Sequence, residues 1–176
     1  GAAQFSSFLE RINIPTHVDA YPSIALGACD LSLYEMLWGY TIFPGHGFST
    51  KPIFINRIED RNGNVIKRFD YGMNRKAVLS EATAYQMCKM MEGPVTIGTA
   101  SGLMQRLGAK EMGGKTGTTN DFRDVWVVGY TPSVVVGMWG GNNDNSPIDK
   151  KTSGFVLAPI WRKVMFAAMG TSTPEY

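Results

Sequence analysis

Two β-prone runs, Val125 to Tyr130 and Val134 to Trp139, are joined by only Thr131, Pro132 and Ser133. So short a link implies an antiparallel pair, because a parallel crossover needs a dozen residues or more. Helical patterns lie on both sides of it. Leu31 to Phe43 places Leu33, Met36, Leu37 and Tyr40 at helical spacing, with Asp30 and Ser32 as candidate N-caps. Ser80 caps a second pattern in which Ala84, Met87, Met90 and Met91 form one side, read as core filling, until Gly93-Pro94 ends it. Thr99 to Leu107 suits a short helix closed by Gly108. Phe155 to Met169 suits a C-terminal one whose Val156, Ile160, Lys163, Val164 and Ala167 share a face, with Pro159 in the first turn. Asn62-Gly63, between Pro52 to Ile58 and Asn64 to Phe69, is a hairpin signal. The order of elements is that of an α+β fold, helices gathered against an antiparallel sheet.

At 176 residues the chain is large enough for one domain with a sizeable core, and no repeat or interdomain linker divides it. Seventeen Lys and Arg against 15 Asp and Glu give no reason to expect nucleic acid as a partner. Gly129, Pro132 and Gly137 interrupt the longest apolar stretches before they reach membrane-spanning length, and the first residues lack the pattern of a signal peptide. Any anchor or export signal is therefore expected outside this chain. Cys29 and Cys88 allow at most one internal disulfide, and the spacing leaves open whether they meet.

One segment proposes chemistry directly. In Lys115-Thr116-Gly117-Thr118-Thr119, an extended backbone puts Lys115, Gly117 and Thr119 on one face and Thr116 and Thr118 on the other. Gly117 permits the close approach of another backbone, as a bound peptide requires. A cation at 115 favours the deprotonated form of a neighbouring nucleophile, and hydroxyls at 116 and 118 can hold a carboxylate. A polar glycine-rich loop with a solvated lysine is the plain alternative. Residues 109–116 also fit a relaxed phosphate loop, with Ala in place of the first Gly, but a nucleotide site needs a helix starting at the lysine. Here Gly117 and Asp121 follow, and then a strand.

Residues 113–139, GGKTGTTNDFRDVWVVGYTPSVVVGMW, resemble the third-motif region of the penicillin-binding protein transpeptidase domain, of the bifunctional class A kind. Pro22-Ser23-Ile24-Ala25-Leu26-Gly27, the Leu31 to Tyr40 helix, the hairpin after Pro52 and Ala158-Pro159-Ile160-Trp161 are similar to the same family in the same order. The similarity runs from about Ile14 to Met169. It implies the β-lactamase/transpeptidase fold and a D,D-transpeptidase that crosslinks peptidoglycan stem peptides through a serine acyl-enzyme, acylated also by β-lactams. It implies an extracytoplasmic location at the bacterial inner membrane and no cofactor. By the same resemblance Lys115 is the third-motif lysine, and Thr116 and Thr118 bind the donor or antibiotic carboxylate. The Thr118 N–H is then one oxyanion donor, and Gly117 and Thr119 complete the substrate strand.

The family also uses Ser-x-x-Lys and Ser-x-Asn. None of the eleven serines here has Lys three residues on or Asn two residues on. Both motifs precede the Pro22 block in the family, so residues 1–176 are read as the C-terminal portion of one transpeptidase domain, with the nucleophile in a missing N-terminal part. A full-length protein that has lost its catalytic half, acting as a structural or peptide-binding unit, is the alternative. The resemblance places two further strands beside Val134 to Trp139, so an isolated chain is expected to self-associate through that edge. His17 and His46, without Cys, Asp or Glu at metal-ligand spacing, are read as surface or packing residues, and no metal is expected. Arg123 and Asp124 are read as ordering the loop after the motif.

Overall fold

The computed structural model describes residues 1–69, 75–98, 100–101, 111–149 and 154–170. In order these are α1 (Ala2–Arg11), a 3-10 turn (Pro22–Leu26), α2 (Leu33–Thr41), β1 (Phe48–Thr50), β2 (Arg57–Glu59), β3 (Val65–Arg68) and β4 (Arg75–Ala77). Then come α3 (Glu81–Thr96), β5 (Gly113–Thr118), β6 (Asp124–Tyr130), β7 (Val135–Gly141) and α4 (Gly154–Met169). The helix expected over Thr99 to Leu107 falls largely outside the described residues.

The short link does what its length dictates. β6 and β7 pair antiparallel with Tyr130 opposite Val135, closed by the Thr131 N–H donating to the Val134 carbonyl at 2.9 Å. β5 pairs with the other side of β6, giving the order β5-β6-β7. Val125, Val127 and Val128 of this middle strand are buried, as burial on both faces requires. One face receives α4, whose Trp161 and Met165 are fully buried in a core with Val127 and Val136. The Trp161 indole N–H donates to the Val136 carbonyl at 2.9 Å, so the largest buried side chain also satisfies its polar atom. The other face receives α2. Gly137 is needed there, because a Cβ would stand 2.6 Å from Leu37 Cδ2 and 3.0 Å from Leu33 Cδ1.

A second core gathers α1, α2 and the segment between them, with Val78 just after β4: Ile12, Ile14, Val18, Trp38, Ile42 and Val78. It is tied down at Glu35, which is buried. Ser32 caps α2 by accepting from the Glu35 N–H at 3.3 Å, and Glu35 accepts from Ser32 N–H at 2.9 Å, Ser32 Oγ at 2.7 Å and Thr16 N–H at 2.9 Å. Burial alone pushes this carboxyl up, but the hydrogen bonds from Thr16 and Ser32 outweigh it and hold the pKa down at about 2.

Several expectations need correction. α3 does not stop at Gly93-Pro94; it runs through Pro94 to Thr96, forgoing the one amide bond that Pro lacks. Its buried residues are Ala84, Cys88 and Val95, whereas Met90 is 70% exposed, so the methionine stripe is core filling only in part. The face is set by packing on β5, and Met90 points away from it. In α4 the buried set is Ala158, Trp161, Met165 and Met169, and Val156, Ile160 and Val164 are exposed. Two apolar stripes at helical spacing compete there, and the one bearing Trp161 removes more area from water. Pro159 lies in the second turn, since α4 starts at Gly154. The hairpin forms, but its paired strands are shorter than the apolar runs and its connection is five residues, Asp60 to Asn64, with Gly63 at φ +84°. The Asp60 carboxylate orders that turn by accepting from the amides of Asn62 and Asn64 at 2.8 and 2.9 Å. Helix α1 and the β1–β4 ladder had no clear sequence signal. Cys29 and Cys88 are both free. No helix among the described residues is long and apolar enough to cross a membrane.

Because the Glu35 pKa is depressed on folding, its contribution is present above the unfolded value of about 4.3 and is lost as pH falls toward the folded one. Glu35→Gln should cost about 1–2 kcal/mol in urea unfolding at pH 7, and the gap to the parent chain should shrink between about pH 5 and pH 2. A gap of equal size at both ends would show that the carboxylate is not what holds α2 to the Thr16 segment.

Candidate functional site

β5 is an edge strand whose two halves differ. Gly113 and Gly114 are buried, and a Cβ on Gly113 would sit 2.5 Å from the Tyr130 ring and hydroxyl, so glycine is required by the fold at that point. From Lys115 onward the strand emerges, with Lys115, Thr118 and Thr119 exposed and Thr116 and Gly117 half-buried. Helix α3 packs against β5, and no described strand pairs with its outer edge. Among the described residues the outer edge of β5 is therefore without a pairing strand beside Lys115 to Thr118, a place where an extended peptide can add as a further strand.

The register sets the faces as the alternation predicts. Lys115 lies opposite Val128 and Gly117 opposite Trp126, on the side where α2 packs, while Thr116 and Thr118 lie opposite Val127 and Val125. The Lys115 ammonium donates to the Thr116 carbonyl at 2.6 Å, and no carboxylate among the described residues pairs with it. A cation folded onto its own strand without a counter-charge is available to an incoming anion or nucleophile. Gly117 has a different status from Gly113. A Cβ there would meet Trp126 Cβ at 3.5 Å, an ordinary contact, so the chain's own packing does not demand glycine. What a side chain at 117 would obstruct is whatever approaches from outside.

Thr119 is committed to the turn that follows. Its Oγ1 accepts from the amides of Arg123 and Asp124, both at 2.9 Å, its N–H donates to the Asp124 carbonyl at 3.0 Å, and its carbonyl accepts from Phe122, which adopts φ +53°. Arg123 and Asp124 have the ordering roles read from the sequence. The Arg123 guanidinium donates to the Asn145 carbonyl, and the Ile148 N–H donates to the Phe122 carbonyl at 2.7 Å, so the 142–148 loop is latched to the end of the β5–β6 hairpin. Asp124 accepts from the Trp139 indole at 2.9 Å across the sheet. Sequence reasoning missed this latch, since nothing in the loop composition names Asn145 as a partner.

Other candidates resolve simply. Lys115 and Thr116 stand within a strand, so the helix N-terminus a phosphate loop needs is not at the lysine. His17 and His46 are at the surface, as read: His17 lies 3.7 Å from Glu10 and 3.5 Å from Asp19, and His46 lies 3.1 Å from Glu81. These pairs are exposed, and no group of three or more metal-ligating side chains is found among the described residues.

Known proteins resemble this chain in sequence and in fold. Penicillin-binding protein 1A of Neisseria flavescens is 32% identical across 98% of this chain and 22% of that protein. The chain therefore spans roughly a fifth of the length of such relatives. The crystal structure of penicillin-binding protein 1A from Haemophilus influenzae superposes with a TM-score of 0.86 at 22% identity, covering 100% of this chain and 32% of that one. Penicillin-binding protein A from Mycobacterium tuberculosis, solved as a penicillin G acyl-enzyme complex, superposes with a TM-score of 0.71 at 18% identity over 97% of this chain and 44% of that one. These structures share the mixed helix and antiparallel-sheet fold. The family description "penicillin binding protein transpeptidase domain" matches residues 12–166, and the chain belongs to that family.

Proposed function

We propose that this chain carries the substrate strand of a peptidoglycan D,D-transpeptidase whose nucleophilic serine lies in another part of the parent protein. The observation that carries this reading is the exposed half of β5, where Lys115 has no carboxylate partner among the described residues and no described strand pairs with the outer edge. A stem peptide, or a β-lactam in its place, adds along Lys115 to Thr118 as an extra strand, with Gly117 leaving room for its backbone. Lys115 Nζ places positive charge beside the serine and favours its deprotonated form. The hydroxyls of Thr116 and Thr118 hold the donor carboxylate. The Thr118 N–H donates to the carbonyl oxygen as it becomes negative, and loss of one such donor typically lowers turnover by about two to three orders of magnitude. Thr119 belongs to the substrate strand in this reading and at the same time fixes its exit turn. The parent works at the extracytoplasmic face of the bacterial inner membrane, needs no metal or cofactor, and has no nucleic-acid partner.

This reading makes residues 1–176 the C-terminal portion of one transpeptidase domain, completed by a part that supplies Ser-x-x-Lys and Ser-x-Asn. Two exposed features suit that partner part. β7 has no strand on its outer side among the described residues, and Val156, Ile160 and Val164 form an uncovered stripe on α4. The second reading, a peptide-binding unit without chemistry, differs only in lacking a nucleophile.

Intact mass after incubation with a penicillin separates the two readings. The chain alone should show no adduct, and the parent protein should gain one penicillin, slowed by about two orders of magnitude or more in Lys115→Ala. An unacylated parent that still binds would establish the second reading. Self-association through the outer edge of β7 is a separate expectation: multi-angle light scattering on the isolated chain should show dimers or larger species growing with concentration. A monomer over a hundredfold or so range of concentration would remove the open edge as an association surface.

A further inference from the structure

Away from the Lys115 strand, the described residues line a cavity of about 290 Å³ where the end of α2 faces the start of α3. Phe43 and Pro44, just past α2, form one wall, and Glu81, Tyr85 and Cys88 form the other. The last three recur at helical spacing, so a single face of α3 lines the space. The walls are mostly apolar. Cys88 is 2% exposed and free, and its thiol makes no hydrogen bond among the described residues, so the buried part of the wall holds an uncommitted polar group.

Backbone hydrogen bonds fix the two walls to each other, so the cavity is preformed. The Gly47 carbonyl accepts from the Val78 and Leu79 amides at 2.9 and 3.1 Å, and Ser80 then caps α3. The Gly47 N–H donates in the other direction, to the Ile42 carbonyl past the end of α2 at 2.8 Å. Glycine is required here, because φ is +85° and a Cβ would collide with the Leu79 carbonyl. His46 before it is held at φ +56°, a conformation few residues other than glycine adopt, and this turn brings it to the cavity mouth. There its Nδ1 lies 3.1 Å from Glu81 Oε1. The other Glu81 oxygen has no partner among the described residues and is open to a donor.

We propose that this cavity binds a small aromatic ammonium compound, with its ring against Phe43, Pro44 and Tyr85 and its charged group on the Glu81 carboxylate. A cavity of about 150 Å³ holds a benzene, so this one has room for a ring and a short arm. The carboxylate at the mouth selects the sign of the charge, and the aromatic faces add attraction for a cation. Tyr85 already draws one: the Lys89 ammonium, which Glu92 engages at 2.8 Å, stands 5.4 Å from its ring centre. The site shares no residue with the Lys115 strand, so its failure leaves the transpeptidase reading untouched.

Phenethylamine, phenylacetate and 2-phenylethanol share a ring and differ in charge. Each is titrated into the isotopically labelled chain at about pH 7.5, where an ordinary histidine is neutral, and amide chemical shifts are followed. Phenethylamine should saturate with Kd of about 1 mM or below, with shifts centred on Glu81, Tyr85 and Cys88. It should bind about threefold or more tighter than either analogue, the scale of one exposed charge pair. Glu81→Gln should remove that preference and leave 2-phenylethanol binding unchanged. Ala82→Leu, at an exposed helix position that also lines the cavity, should fill the space and weaken phenethylamine binding about tenfold, with the thermal unfolding midpoint within about 2 °C of the parent chain. The proposal is overturned if phenethylamine does not saturate by about 10 mM, if either analogue binds as tightly, if either variant binds phenethylamine as the parent chain does, or if the shifts centre away from the cavity.

Discussion

Burial of β6 on both faces is the constraint on which the rest depends. Val125 and Val127 face α4 and Val128 faces the α2 side, and each of these residues is almost wholly removed from water. A strand enclosed in this way must pair on both edges to satisfy its backbone, and β5 and β7 provide those pairs. Trp161 anchors one enclosing helix; truncating so large a buried side chain costs about 3–5 kcal/mol in comparable cores. Gly137 admits the other helix by having no Cβ. The position of Lys115 follows from this arrangement, because the register with β6 fixes which residues of β5 face α2 and which face away.

The two outer strands meet opposite conditions. β5 is buried at Gly113 and Gly114 and opens where the lysine stands, so its exposed edge is short and polar. β7 runs through Val135, Val136 and Met138 with no strand beyond it among the described residues, a long apolar edge of the kind that proteins normally cover. Burial is concentrated where the helices pack, and the uncovered stripe of α4 follows the same division.

Much of this was legible in the sequence where one local signal had one outcome. Ser32 and Ser80 cap the helices they were expected to cap, and the Thr131 to Ser133 link could only join antiparallel neighbours. The strand over Lys115 to Thr118 was legible because its residue types alternate, whereas Thr119, expected on the Lys115 face, stands in the turn that follows. Reading failed where two solutions shared one period. In α4, Val156, Ile160 and Val164 have the same helical spacing as Trp161, Met165 and Met169, and only the shape of the sheet face selects between them. Pro94 misled for a related reason, since packing of α3 on β5 sustains a helix that local propensity would end. The Arg123 latch joins residues 22 positions apart, which no local pattern encodes.

The central claim is that β5 is the strand on which the reacting carbonyl is held. A crystal structure of the parent protein acylated by a penicillin tests it most directly. The acyl carbonyl oxygen should lie about 3 Å from the Thr118 nitrogen, with the antibiotic carboxylate within hydrogen-bonding reach of the Thr116 or Thr118 hydroxyl. An acyl group directed away from β5, with its carbonyl oxygen bound by other donors and Lys115 still folded onto the Thr116 carbonyl, would contradict the account.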